Sequence, residues 1–349
     1  MKKSYFYFAI ISLVILSIGI IIGCGSGASS GGGGASAASP WIYVSSNYND
    51  SIMVINGTTN TTVESIQLGF HPGNMAVSPD GKKLYVSNVD DDQVIVIDTS
   101  TNASVDAFIP VNAADSRGMA VTPNGDYLCM TSHTTTEFFK ISTVSPYSYK
   151  TVMLTGEGCR IAITDDSKKA YVCVAGTGGA SLAFLQVIDL QNMTIEATIN
   201  VVNHPHDVVI KGPYAYVAMS SIFDCLARVN LNTSTVETIN YGTSFNLFGV
   251  VSIPGKNKIY ASDLISAGRI FILDTDGAFT FEATQITSTE LSSPQLMAAT
   301  SKYAYIVDPP ILPNHDKVVV VDVDTDQIVK YINGLQGLDE KCDPVVVYK

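Results

Sequence analysis

The chain has 349 residues, with 32 Asp and Glu against 20 Lys and Arg, a formal net charge of −12, and only 15% charged residues. An acidic balance of that size argues against nucleic acid and anionic membrane surfaces as partners, since both repel it. The low charged fraction, with abundant Gly, Ser, Thr, Asn and Tyr, fits an exported β-protein, and about 300 residues can bury a core without covalent staples.

In chain order, Lys2-Lys3 precedes an almost unbroken apolar run from Tyr5 to Ile22, the charged and apolar regions of an export signal over residues 1–23. The run is also long enough for an uncleaved transmembrane anchor; both readings place the rest of the chain on the far side of a membrane. Residues 24–40 begin Cys24-Gly25-Ser26-Gly27 and include four consecutive glycines through Gly34, a composition that behaves as a flexible tether. Loss of Lys2 and Lys3 with the signal leaves 18 basic against 32 acidic residues, a balance of −14.

From residue 41 onward one pattern repeats. The segments beginning at Ile42, Leu84, Leu128, Ala170, Ala215, Ile259 and Ala304 each carry a short apolar line, six of them with tyrosine second, at steps of 42, 44, 42, 45, 44 and 45 residues. A second apolar strand follows most of them, as in Val94-Ile95-Val96-Ile97-Asp98 and Val318-Val319-Val320-Val321-Asp322, and turn signals such as Pro79-Asp80-Gly81 close tight hairpins. Four short antiparallel strands per unit, with no helical periodicity, predict an all-β, seven-bladed β-propeller. The third unit departs from the pattern: Cys129 replaces the tyrosine and Phe138-Phe139-Lys140-Ile141-Ser142 is a poor second strand, so a distorted blade is expected there. The domain starts in mid-unit at Trp41, and Pro344-Val345-Val346-Val347-Tyr348 supplies the missing inner strand, so pairing of the two chain ends closes the ring.

Two resemblances follow from these residues. The unit Leu84-Tyr85-Val86-Ser87-Asn88, followed by Val94-Ile95-Val96-Ile97-Asp98-Thr99 and preceded by Ser78-Pro79-Asp80-Gly81, resembles the YVTN family of β-propeller repeats over residues 41–349. The sequence Ile21-Ile22-Gly23-Cys24 resembles the bacterial lipoprotein cleavage box, which implies a lipid on Cys24, a membrane anchor through it, and a cell-envelope location; Gly25 after the cysteine favours the outer membrane.

All five histidines fall in loops expected on one face of the disc: His71, His204 and His206 just before inner strands, His133 and His315 after tyrosine strands. The same entry segments carry Asp115, Arg117, Glu157, Cys159, Arg160, Asp207, Asn246, Phe248, Cys342 and Asp343. Aligned units place His71, Asp115, Glu157 and His204 at equivalent positions, predicting a polar, titratable ring at the mouth of the central channel, the usual place for propeller ligands. His71, Asp115, Arg117, Glu157, Arg160, His204, His206 and Phe248 are therefore the candidate ligand-face residues. Histidines in loops are also what a β-protein places there without a ligand.

No metal and no cofactor are predicted. His204 and His206 are weak metal candidates, since alternation along an extended segment sends them to opposite sides. The Asp322, Asp324, Asp326 series lacks the glycine and glutamate of a calcium loop, and Asp90-Asp91-Asp92 reads as a solvated tip. The remaining five cysteines match no zinc or haem spacing, and Cys159 and Cys173, on strands of one blade, could form a disulfide or stay unbridged. The sequence favours a non-catalytic binding module for an envelope or extracellular protein or a small ligand. Its alternative is an exported enzyme or enzyme subunit, lactonase-like or part of a dehydrogenase, with His204 or His206 as base and Arg117 or Arg160 steadying negative charge.

Overall fold

A computed structural model describes residues 39–348 apart from residues 48, 92, 111–115, 133–134, 177–182, 202–203, 222–223, 241–244, 265–267, 282–284, 310–315 and 335–343. The segment expected to act as an export signal, Cys24 and the tether after it, and Asp115, His133, His315, Cys342 and Asp343, lie outside the described residues. The propeller belongs to the unit Ala38–Lys349, separate from Met1–Ala37.

Among the described residues, twenty-eight strands form seven four-stranded antiparallel blades. The inner strands of blades 2 to 7 are Pro72–Val77, Ser116–Val121, Glu157–Ile163, His204–Lys211, Phe245–Ser252 and Met297–Ala299. Blade 1 takes its inner strand from the end of the chain: Pro344–Tyr348 pairs with Pro40–Ser46, Val345 opposite Tyr43 and Val347 opposite Trp41. No open sheet edge is then left between first and last blades.

Among the described residues, seven apolar clusters hold the ring, each between two consecutive blades. Ile42, Val44 and Ile55 of blade 1 meet Val307, Val318 and Val320 of blade 7, for example, while Tyr43, Ile52 and Val54 meet Met75, Leu84 and Val86 of blade 2. Both faces of the middle strands are therefore buried, which is why they read as continuous Val/Ile runs and not as alternation. Each such side chain contributes about 1.5–3 kcal/mol on burial.

Recurrent tyrosines reach from one blade to the next through their hydroxyls. Tyr43 donates to Asn102 Oδ1 of blade 2 at 2.6 Å, Tyr305 of blade 7 donates to Asn60 Oδ1 of blade 1 at 2.6 Å, and Tyr260 bonds Asp326 of blade 7. The acceptors occupy left-handed turn positions (φ 54°, 54° and 57°), a conformation Asn and Asp tolerate. Those turns start at Asn56, Asp98 and Asp322, whose side-chain oxygens accept a backbone N–H bond two residues on and, at Asn56 and Asp322, also three residues on. The aspartate series at 322–326 is thus a turn and a clasp.

The third blade is not distorted. Glu137–Ser142 keeps uninterrupted register with both Tyr127–Ser132 and Tyr149–Met153. Both ends of the clasp have changed together: Cys129 stands for the tyrosine, Met193 of blade 4 stands at the left-handed acceptor position (φ 56°), and the two lie in one apolar cluster. Burial pushes the Cys129 thiol up to about 12. Lys140, buried in the second strand, bonds the Leu190 carbonyl of blade 4 and replaces the lost clasp.

Candidate functional site

The inner strands share one irregularity. In each of blades 2 to 6, two residues oppose a single partner: Gly73 and Asn74 face Ser87, Arg117 and Gly118 face Thr131, Cys159 and Arg160 face Cys173, His206 and Asp207 face Ala218, Phe248 and Gly249 face Ser262. Blade 7 repeats it, since Gln295 N donates to Val307 O at 2.8 Å and Val307 N to Leu296 O at 3.0 Å. A β-bulge bends its strand and re-aims a side chain.

Six blades thereby deliver side chains to one axial cavity of about 30 Å³, lined by Asn74, Arg117, Cys159, Arg160, His206, Phe248 and Leu296. Arg160 and Leu296 also line a wider channel of about 290 Å³, whose other walls include Met75, Ile161, Val250, Met297 and Val345. The two voids share Arg160 and Leu296 as a common wall.

The bulges interlock around the ring. Asn74 Nδ2 bonds the Ser116 carbonyl, Thr131 Oγ1 donates to Cys159 O at 2.7 Å, Asp207 Oδ2 accepts from Val250 N at 2.9 Å, and Ser262 Oγ donates to Gln295 O at 2.6 Å. Gly118 and Gly249 are required by close approach, because a Cβ at either would strike the Cys159 or Gln295 carbonyl of the next blade. Asn74 and the backbone of Cys159 are thus each tied to a neighbouring blade.

His206 is half-buried, its ring stacked on Phe248 with centroids 4.7 Å apart and planes tilted by 32°. Desolvation, then the neighbouring His204, Arg117 and Arg160, lowers its pKa to about 4, so the imidazole is neutral at physiological pH. Cys159 and Cys173 are buried thiols and form no disulfide; burial raises Cys173 well above the usual thiol value.

The structure splits the expected ring in two. Arg117, Arg160, His206 and Phe248 line the cavity. Glu157 and His204 lie two residues before the lining Cys159 and His206, and His71 three before Asn74, about 7–10 Å of extended chain, at the rim. His71 is about half exposed and its Nδ1 bonds Asp90 Oδ1 at 2.9 Å; that bond raises the imidazole pKa, and Asp90, hydrogen-bonded by the His71 backbone and side chain, is lowered. His204 is exposed and Glu157 half-buried. Asp207 turns to the Val208 and Val250 amides. Asn74 and Leu296 were not among the expected residues, although the aligned units place Asn74 three positions after His71 and level with Arg160. Among the described residues, no group of three His, Cys, Asp or Glu side chains is arranged to hold a metal ion.

No family model matches the chain, and no curated protein matches it. Solved structures do. Kuenenia stuttgartiensis hydrazine synthase aligns over 80% of this chain and 95% of its own, with TM-score 0.66 and 18% identity. The dihydro-heme d1 dehydrogenase NirN in complex with DHE aligns over 85% of this chain and 73% of its own, with TM-score 0.63 and 13% identity. At such identities the likeness is one of fold, and it agrees with the blade count: the chain is a seven-bladed β-propeller.

Proposed function

We propose that this chain is an exported, lipid-anchored, non-catalytic binding module of the YVTN-repeat type, which recognises its ligand at the axial mouth of the propeller. The observation that carries the reading is the convergence of bulge residues from six blades on one cavity. A chain that bulges the inner strands of blades 2 to 7, and sets arginine, imidazole and phenyl side chains there, has a pre-organised site of the kind binding uses.

Binding is favoured over proton-transfer chemistry by the state of His206. An imidazole with a pKa near 4, stacked on Phe248, is a weak general base at neutral pH. The Lys2-Lys3 start, the apolar run to Ile22 and the Ile21-Ile22-Gly23-Cys24 box support export and lipid anchoring, and the glycine-rich tether would let the disc search for its ligand.

Two measurements test this. Cells labelled with a fatty-acid analogue should mark the wild type and leave Cys24→Ser unmarked; equal labelling would contradict the anchor. Crosslinked capture from intact source cells should recover a specific molecule with the wild type and lose it with the Arg117→Gln/Arg160→Gln pair, provided the pair melts like the wild type. Equal recovery would move the site away from the axis.

A further inference from the structure

We propose that the axial cavity takes the hydroxymethyl end of a neutral alcohol, its O–H donating to Asn74 Oδ1 and its methylene group lying against Phe248 and Leu296. This ligand class rests on the axial-mouth reading above and makes it specific.

The donor requirement comes from Asn74. Its side chain lines the cavity and is almost fully buried, at 1% exposure. Its orientation is fixed, because the Ser116 carbonyl can only accept and therefore takes the Nδ2 end. The Oδ1 end is left enclosed, with no hydrogen-bond partner among the described residues. A buried acceptor in that state is unfavourable until something entering the cavity supplies a hydrogen. Turning the oxygen away would give up Ser116, and Asn74 is held in place by the bulge that it shares with Gly73 opposite Ser87.

Polarity narrows the ligand further. Groups that only accept, such as a carboxylate, an ether or a nitrile, leave Asn74 Oδ1 unpaired. An ammonium has hydrogens to give, but it would sit beside His206, where positive charge is opposed by desolvation first and then by His204, Arg117 and Arg160; the imidazole itself stays neutral for that reason. A hydroxyl meets neither obstacle. It also accepts, and the neutral His206 ring in the same lining carries one donor and one acceptor nitrogen.

Size and shape complete the match. A cavity of about 30 Å³ holds about two water-sized centres, the size of a hydroxymethyl group, so the rest of a larger ligand stays outside it. Phe248 and Leu296, both buried, give the methylene an apolar wall, and the Phe248 ring is steadied by its stacking on His206.

The test is an NMR titration of the full chain in detergent micelles, labelled at asparagine, following the Asn74 side-chain amide with four probes of matched size: ethanol, acetonitrile, formate and ethylammonium. Ethanol should shift the resonance saturably, acetonitrile at least about tenfold more weakly for want of a donor, and the two ions not measurably. Leu296→Phe, which fills the cavity and keeps Asn74, should abolish the ethanol shift, with a circular dichroism melt to confirm folding. The comparison of probes needs only the wild type, so it decides even where that variant melts early. Equal saturation by ethanol and acetonitrile would overturn the role of Asn74 and with it the proposal. Saturation by formate or ethylammonium in place of ethanol would overturn the neutral assignment and leave the axial site standing. An ethanol shift that persists in folded Leu296→Phe would put the alcohol outside the cavity and overturn the proposal. So would an Asn74 amide in contact with water and unmoved by every probe, since a bound water alone would then satisfy the oxygen. In that case the capture experiment decides the wider reading: loss of capture by the arginine pair preserves the axial site, and unchanged capture removes it.

Discussion

Tyr305 in the last blade donates its hydroxyl hydrogen bond to Asn60 Oδ1 in the first, 2.6 Å apart in space and 245 positions apart in sequence. The tyrosine that recurs through the chain is therefore a fastener between blades as well as a core residue, and here it fastens across the closure. Tyr305→Phe keeps the ring but leaves Asn60, itself buried, with one partner fewer. The expected loss is about 1–2 kcal/mol, read as a lower urea midpoint with unchanged slope. No change would mean that the clasp is incidental to stability.

The closing strand itself is worth much more. Pro344–Tyr348 pairs along the whole of Pro40–Val44, and Val345 also lines the central channel. Removing residues 343–349 should expose the edge of blade 1 and lower the melting temperature by more than about 10 °C, several kcal/mol for a domain of this size. An unchanged melt would refute closure by the chain ends.

Acid should act on the site through His206. Its folded pKa, about 4, lies below the ordinary value of 6.5, so the unfolded chain binds the proton first as pH falls. Stability tied to the neutral ring is whole above pH 6.5 and declines through the window down to about 4. Between about pH 7 and pH 5 the wild type should lose about 1–2 kcal/mol more than His206→Gln, after allowance for the ring's partial exposure. Parallel pH profiles for the two proteins would show that the imidazole is solvated.

The fold is legible in the sequence because its signal repeats. A single Leu84-Tyr85-Val86 line says little, whereas seven in phase leave few architectures, and the half-unit at Trp41 with the spare strand at Val345 shows how the ring shuts. The third blade misleads because Cys129, taken alone, looks like a lost fastener. Its partner Met193 lies 64 residues on, and only the contact between blades shows that both ends of the clasp changed together.

The site is half legible. Aligning the units brings His71, Asp115, Glu157 and His204 into one row, but a row in sequence is not a ring around a cavity. An inserted residue in the inner strands of blades 2 to 7 shifts which side chain faces the axis, so Arg117, Arg160, His206 and Phe248 line it while His71 pairs with Asp90 at the rim. A bulge leaves no mark in composition or hydropathy. Asn74 is invisible for the same reason, since its relevance lies in an unpaired oxygen and not in its type.

Recognition at the axis can be tested by placing a crosslinker inside the cavity. p-Azidophenylalanine in place of Phe248, a lining residue, is compared with the same group in place of Tyr149, exposed on the outer strand of blade 3. After illumination of intact source cells, mass spectrometry should find an added mass on the peptide carrying position 248 and none on the peptide carrying position 149. Adducts confined to position 149 would contradict binding at the axis and move recognition to the edge of the disc.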